Sequence, residues 1–253
     1  MSDAHAVGRT VVIIMAKEPA AGRTKTRLCP PLSESDAAQL AEAVLFDTID
    51  LVSRLSGVRL AIAVTPPRAV AAFRHRVPHD ALLLPVAGED IGACLRQATG
   101  CVFAEGYARA MAIGSDGPTL PLAYLERAGE LLGRHDVVLG PSEDGGYYLV
   151  GLRHPAPGLF EGIAWSTSRV MEQTVDRAAA LGLSVALLPP WYDVDTAADL
   201  ERFRAELDIL PGPTLTWTRR FFDARRLDAR PALNADHAPP AGSPDVSHEE
   251  VSR

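Results

Sequence analysis

Val11-Val12-Ile13-Ile14-Met15-Ala16-Lys17-Glu18-Pro19-Ala20-Ala21-Gly22-Arg23-Thr24-Lys25-Thr26-Arg27-Leu28-Cys29-Pro30 decides how the chain is read. Its first five residues form a short, β-branched apolar run, the pattern of a buried strand. A Gly- and Pro-broken loop follows, and a long helical pattern begins near Ser33. A strand opening through such a loop into a helix suits phosphates, because the loop offers backbone N–H groups and its cations neutralise the anion. Lys17, Arg23, Lys25 and Arg27 supply those cations in a chain of net charge −7. The spacing is neither that of a P-loop nor that of a dinucleotide-binding Gly-x-Gly-x-x-Gly. The stretch therefore reads as a phosphate grip for a nucleotide, built from Ala16, Lys17, Gly22, Arg23, Lys25 and Arg27, with Ser115 from a later loop.

The totals bound the alternatives. The 253 residues, 47% apolar and 23% charged, are ordinary for a soluble globular protein with a sizeable core. The acidic balance argues against a non-specific nucleic-acid binder. Three cysteines without regular spacing suggest reduced thiols and a cytoplasmic setting. The apolar run at 11–15 is too short for a signal-peptide core or a membrane span.

Outward from the opening loop, strands alternate with helices. Strands are expected at 58–64, 82–84, 109–114, 136–140, 147–152 and 184–188. Helices are expected from Ser33 to Gly57, through Arg76, from Gly92 to Glu105, from Leu122 to Gly133, from Thr167 to Leu181, and from Asp195 to Leu207. This alternation predicts an α/β fold with a mostly parallel sheet. Residues 1–9 read as a leader, 10–210 as the main domain, 211–234 as a docked C-terminal extension, and 235–253 as a disordered, Pro-, Ser- and acid-rich tail.

Later loops add carboxylates at the carboxyl ends of strands, where ligands bind in open α/β sheets. Asp116, in Ser115-Asp116-Gly117-Pro118, suits a Mg²⁺ or Mn²⁺ ligand; it also suits a turn-supporting or helix-capping residue. Asp195, in Asp193-Val194-Asp195-Thr196-Ala197-Ala198-Asp199-Leu200, is a second candidate ligand or a helix cap. Glu143-Asp144-Gly145-Gly146-Tyr147-Tyr148 and Trp165 are candidates for an acceptor pocket, with Glu143 or Asp144 as a base; the first segment equally fits a hairpin turn.

Taken together these motifs resemble the DUF2064 family. The residues that carry the resemblance are Ala16-Lys17-x-Pro19-x-x-Gly22-x-x-Lys25-Thr26-Arg27-Leu28, Gly114-x-Asp116-x-Pro118, Asp144 to Leu152, Trp165-Ser166-Thr167 and Asp193-Val194-Asp195-Thr196-x-x-Asp199-Leu200. The Lys25-Thr26-Arg27-Leu28 loop is also similar to that of the phospholactate guanylyltransferases. The resemblance covers about residues 10–205. It implies a GT-A fold, a Rossmann-like three-layer sandwich of the nucleotide-diphospho-sugar transferases, with nucleotide on one half of the sheet and acceptor on the other. It also implies that Asp116 and Asp195 hold the metal. Some members bear a glycosyltransferase label associated with arsenosugar biosynthesis. The chain departs from the usual Asp-x-Asp of glycosyltransferases: Gly117 follows Asp116, and no second Asp stands at that spacing.

The expected activity is a metal-dependent transfer with Mg²⁺ or Mn²⁺. In one form a glycosyl group moves from a nucleotide sugar to a small acceptor; in the alternative an NTP is joined to a phosphorylated acceptor with release of pyrophosphate. Lys25, Arg27 and Asp144 are the catalytic candidates, and Glu143, Gly145, Gly146, Tyr147 and Trp165 the acceptor pocket. A non-catalytic nucleotide-binding module is the third reading. The partners are small molecules, without nucleic acid or membrane. The apolar and basic segment 214–227 is a candidate contact surface for a homodimer.

Overall fold

A computed structural model describes residues 10–225. The leader at 1–9 and the tail at 235–253 lie outside the described residues, as does the end of the expected extension. Seven strands form one sheet: β1 (Thr10–Lys17), β2 (Val58–Thr65), β3 (Leu82–Pro85), β4 (Arg109–Ile113), β5 (Val137–Pro141), β6 (Tyr147–Leu152) and β7 (Val185–Leu187). Their order is β3-β2-β1-β4-β6-β5-β7. All neighbouring pairs run parallel except those of β6, which lies antiparallel between β4 and β5. The segment read as a strand returning from the Gly-rich turn therefore sits inside the sheet.

The helices are α1 (Glu34–Ser53), α2 (Val70–Arg74), α3 (Ile91–Ala104), α4 (Leu122–Leu131), α5 (Val170–Ala180), α6 (Ala197–Ile209) and α7 (Thr216–Arg225). Strand alternation divides the core. Val12 and Ile14 face a cluster with Leu45, Phe46 and Ile49 of α1 and Leu125 of α4. Val11 and Ile13 face Leu95, Ala98 and Val102 of α3 and Ala178 of α5. Helices thus cover both faces of a mostly parallel sheet, whose strands are apolar on both sides. Each buried Leu or Ile contributes about 1.5–3 kcal/mol of transfer free energy.

Helix starts follow local chemistry. The Ser33 side chain accepts from the Asp36 N–H, and Asp90 from the Ala93 N–H. Thr196 and Asp199 form a reciprocal capping box at α6. The helix expected from Thr167 begins instead at Val170. Ser166 takes a left-handed φ of 61°, and the Thr167 hydroxyl donates to the Ala164 carbonyl, so this stretch is a turn.

A third apolar cluster joins α1, α6 and α7 with Leu28 of the opening loop; Phe203, Phe221 and Phe222 fill it. Helix α7 is held on α1 by polar contacts at both ends. Asp47 accepts from the backbone N–H groups of Trp217 and Thr218, at 3.0 and 2.9 Å. Arg225 donates to Asp36 at 2.6 Å. The segment considered as a contact surface buries its phenylalanines within the chain and leaves Trp217 40% exposed.

Candidate active site

The loop after β1 is a compact, anchored turn. The Ala20 carbonyl accepts from the N–H groups of Arg23 and Thr24, and Leu28 is fully buried beneath the loop. Gly22 takes φ 70°, a left-handed conformation that favours glycine. Lys25 is itself left-handed, at φ 48°. This directs its side chain inward, where it is only 4% exposed.

The Lys25 ammonium lies 2.6 Å from Asp116 and 3.3 Å from Asp195, and donates to the Val194 carbonyl at 2.7 Å. Three acceptors match its three N–H donors. Burial alone would push this ammonium down; the two carboxylates outweigh it and hold its pKa above 10.5. Burial raises Asp195, with Lys25 opposing.

The two acidic loops come together through the backbone. Beyond β7, Trp191 runs beside the end of β5, exchanging N–H and carbonyl groups with Pro141 and Glu143. The Val194 N–H then donates to the Asp116 carbonyl at 2.8 Å. An added Cβ on Gly117 would approach the Tyr192 carbonyl at 3.2 Å, which explains glycine at this close crossing. Asp199 accepts from the backbone of Thr196 and Asp195, so capping falls to Thr196 and Asp199 while the Asp195 carboxylate turns to Lys25.

Two cavities flank this cluster. The first, of about 620 Å³, is lined by Ala16, Lys17, Arg23, Lys25, Ser115, Asp116 and Asp195, and extends to Thr65, Val86 and Gly88–Ile91. The second, of about 680 Å³, is lined by Arg27, Asp144, Gly146, Tyr147, Trp165 and the Ser166–Ser168 turn. Asp116 and Ile91 line both. Of the expected nucleotide-binding residues, Arg27 faces the second cavity and Gly22 shapes the loop without lining either. Among the described residues, Arg23 and Arg27 form no ion pair, which leaves both guanidiniums open to an anion.

Two expected acceptor residues stand elsewhere. Glu143 is engaged by Arg202 at 3.0 and 3.2 Å and does not line the second cavity. Gly145 also lies outside the lining; an added Cβ would strike the Ser168 carbonyl at 2.2 Å, so it seats the Ser166–Ser168 turn. Asp193 is a residue that sequence reasoning quoted but gave no role. It accepts from the Ser142 hydroxyl at 3.1 Å, and burial, with Asp116 and Asp195 adding, pushes its carboxyl up to about 7. Its alternation with Asp195 was the available signal. The α3 N-terminus, Glu89 to Ile91, was missed because nothing local ties it to the opening loop.

The arrangement resembles known proteins across most of its length. The family described as "Uncharacterized protein conserved in bacteria (DUF2064)" matches residues 48–167. A 3-phospho-D-glycerate guanylyltransferase of Phenylobacterium zucineum is 32% identical over 199 residues, covering 75% of this chain and 85% of that protein. A 2-phospho-L-lactate guanylyltransferase of Methanothermobacter thermautotrophicus is 28% identical, covering 87% and 93%. A crystal structure from Desulfovibrio desulfuricans G20, assigned as a nucleotide-diphospho-sugar transferase, superposes with a TM-score of 0.78 at 30% identity, covering 86% of this chain and 96% of that one. The fold and the identities agree: the chain belongs to the DUF2064 family, is related to the phosphoglycerate and phospholactate guanylyltransferases, and has the fold of the nucleotide-diphospho-sugar transferases.

Proposed function

We propose that the protein is a nucleotidyltransferase that joins an NTP, with GTP as first candidate, to a phosphorylated small acceptor and releases pyrophosphate. One observation carries this reading: the buried Lys25 ammonium, held by the half-exposed carboxylates of Asp116 and Asp195, stands where a cation-lined cavity meets a second one. The names of the two guanylyltransferase relatives supply the nucleotide.

In this reading Lys17 and Arg23 hold the β- and γ-phosphates in the first cavity, and Arg27 faces the α-phosphate from the acceptor side. An oxygen of the acceptor phosphate attacks the α-phosphorus. The new P–O bond forms in line as the bond to the β-phosphate oxygen breaks, and pyrophosphate takes the electron pair. The nucleophile is already ionised, so no base is required, and Asp144 serves to orient the acceptor. Arg23 and Arg27 act by stabilising charge that spreads over the transferred group.

Asp116 and Asp195 are the residues that would hold Mg²⁺ or Mn²⁺. Among the described residues no group of three or more His, Cys, Asp or Glu is arranged to hold a metal ion. Two carboxylates suit a hard cation that keeps water and nucleotide phosphates as its other ligands, and Lys25 already places a positive charge between them. The ion, when bound, neutralises phosphate charge. Lys25, which lines the first cavity, would add its charge to the phosphates there.

The reaction is tested by incubating the protein with Mg²⁺, GTP and a panel of phosphate monoesters that includes 3-phosphoglycerate and phenyl phosphate, and separately with GDP-mannose and cell extract. Pyrophosphate release is expected in the first mixture. Nucleoside diphosphate in the second, without pyrophosphate in the first, would establish glycosyl transfer instead. The free thiols Cys29, Cys94 and Cys101 suit a reducing, cytoplasmic setting.

A further inference from the structure

The second cavity differs chemically from what the relatives' named substrates require. Phosphoglycerate and phospholactate each carry a carboxylate beside the phosphate. Among the described residues, Arg27 is the one cation lining this cavity, set against the carboxylates of Asp116 and Asp144. A second anion would find no counter-charge and would face Asp144. One Asp144 oxygen is held by the Gly146 N–H at 2.9 Å, which fixes the carboxylate in the turn beside the cavity.

Apolar side chains also line this cavity. Trp165 lies flat against the first turn of α3, where an added Cβ on Gly92 would fall 2.2 Å from its ring. Tyr147 meets Trp165 edge-on, with ring centroids 6.4 Å apart and planes at 83°. Ile91, 44% exposed, and Leu95 extend this apolar lining. Three hydroxyl residues, Ser166, Thr167 and Ser168, border it.

Resting on the nucleotidyl-transfer reading, we propose that the acceptor is a phosphate monoester of a neutral alcohol whose body offers an apolar or ring face. The phosphate meets Arg27, the ring face lies on Trp165 and Ile91, and a neutral hydroxyl reaches Asp144. Rigid aromatic walls favour such a body because little side-chain freedom is lost on contact.

The test is calorimetric titration of the full chain, without nucleotide, by phenyl phosphate, 3-phosphoglycerate and inorganic phosphate. Phenyl phosphate is expected to bind about tenfold more tightly than either of the others, the scale of one aromatic contact and one avoided repulsion. Trp165→Ala should remove that preference. Should Trp165→Ala fail to fold by circular dichroism, Ile91→Gln, a change at an exposed position, should lower phenyl phosphate affinity about threefold and leave 3-phosphoglycerate unchanged. Equal binding of the two esters, no binding of phenyl phosphate, or a preference that survives the substitutions would overturn the proposal. Pyrophosphate release separates it from the reading beneath it. Selective phenyl phosphate binding with no pyrophosphate from GTP and any ester rejects nucleotidyl transfer and leaves the pocket's preference standing. Pyrophosphate release with tight 3-phosphoglycerate binding does the reverse.

Discussion

Two pairs of carboxylates in this molecule do opposite work. Asp36 and Asp47, both on α1, grip the two ends of α7. Asp116 and Asp195, on separate loops, converge on one lysine. Asp47 is answered by two backbone N–H groups, which cannot leave without undocking α7 from α1. Asp116 and Asp195 are answered by Lys25, an ammonium on a flexible four-carbon stem that can move away. A carboxylate tied to backbone is fixed in its use; one tied to a mobile side chain can exchange that partner for a ligand. The contrast predicts that substitutions in the first pair alter stability and those in the second alter turnover.

The largest effect is expected at the site. Asp116→Asn keeps the shape but removes the charge nearest Lys25. Pyrophosphate release should fall about 10²–10³-fold, the scale of losing one preorganised electrostatic group. Circular dichroism should stay as in the wild type. Near wild-type turnover would remove Asp116 from the machinery.

Asp47→Ala tests the other side. It leaves the Trp217 and Thr218 N–H groups at a helix N-terminus without their acceptor, and the urea midpoint should drop by the equivalent of about 2 kcal/mol. The KM for nucleotide should not change. A fall in turnover without a fall in stability would mean that α7 belongs to the site.

Lys25→Met breaks the comparison more directly. If the ammonium occupies the position of a divalent ion, removing it frees two adjacent carboxylates. Mn²⁺ binding to the nucleotide-free protein, read from the electron spin resonance of free Mn²⁺, should tighten about tenfold, or ~1.4 kcal/mol. Turnover should nevertheless fall, because the same ammonium is then missing from the phosphates. Weaker Mn²⁺ binding in the variant would show that Lys25 supports a metal site and does not stand in for the ion.

Much of this contrast was legible before the fold was known, but unevenly. The β1 run, the cationic loop and the acids at strand ends are local patterns; β1 pairs on both sides within the sheet, and the loop and the acids lie at its carboxyl edge as expected. The β6 strand was visible, and its position between β4 and β5 was not, since pairing partners are not encoded in one segment's alternation. Asp47 is a polar residue within an apolar helical stripe, and only α7, some 170 positions later, explains it. Glu143 looked like a free base because Arg202, its partner, sits on a distant helix. From its loop, Lys25 reads as a candidate for phosphate, as it does in the proposed mechanism. Its engagement with two carboxylates needed the third dimension, because Asp116 and Asp195 reach it from loops far apart in sequence.

The smallest expected effect separates the two carboxylates of α1 from each other. Ser33 and Arg225 hydrogen bonds hold Asp36 below its ordinary 3.8. Burial holds Asp47 above 3.8, even though two backbone N–H groups oppose it. The signs therefore differ. The Asp36 contribution is fully present above the unfolded-state value of 3.8 and is lost as pH falls through its depressed folded value. Asp47 favours the protonated form when folded, so its contribution is present below 3.8 and is lost as pH rises through its raised folded value. Urea unfolding of the wild type, Asp36→Asn and Asp47→Asn across pH 3–7 reads this directly. The stability lost in Asp36→Asn should shrink toward zero at the acid end, while that lost in Asp47→Asn should grow there. Parallel curves for the two variants would mean that burial does not dominate at Asp47 and that both ends of α7 are held by the same kind of ionised contact.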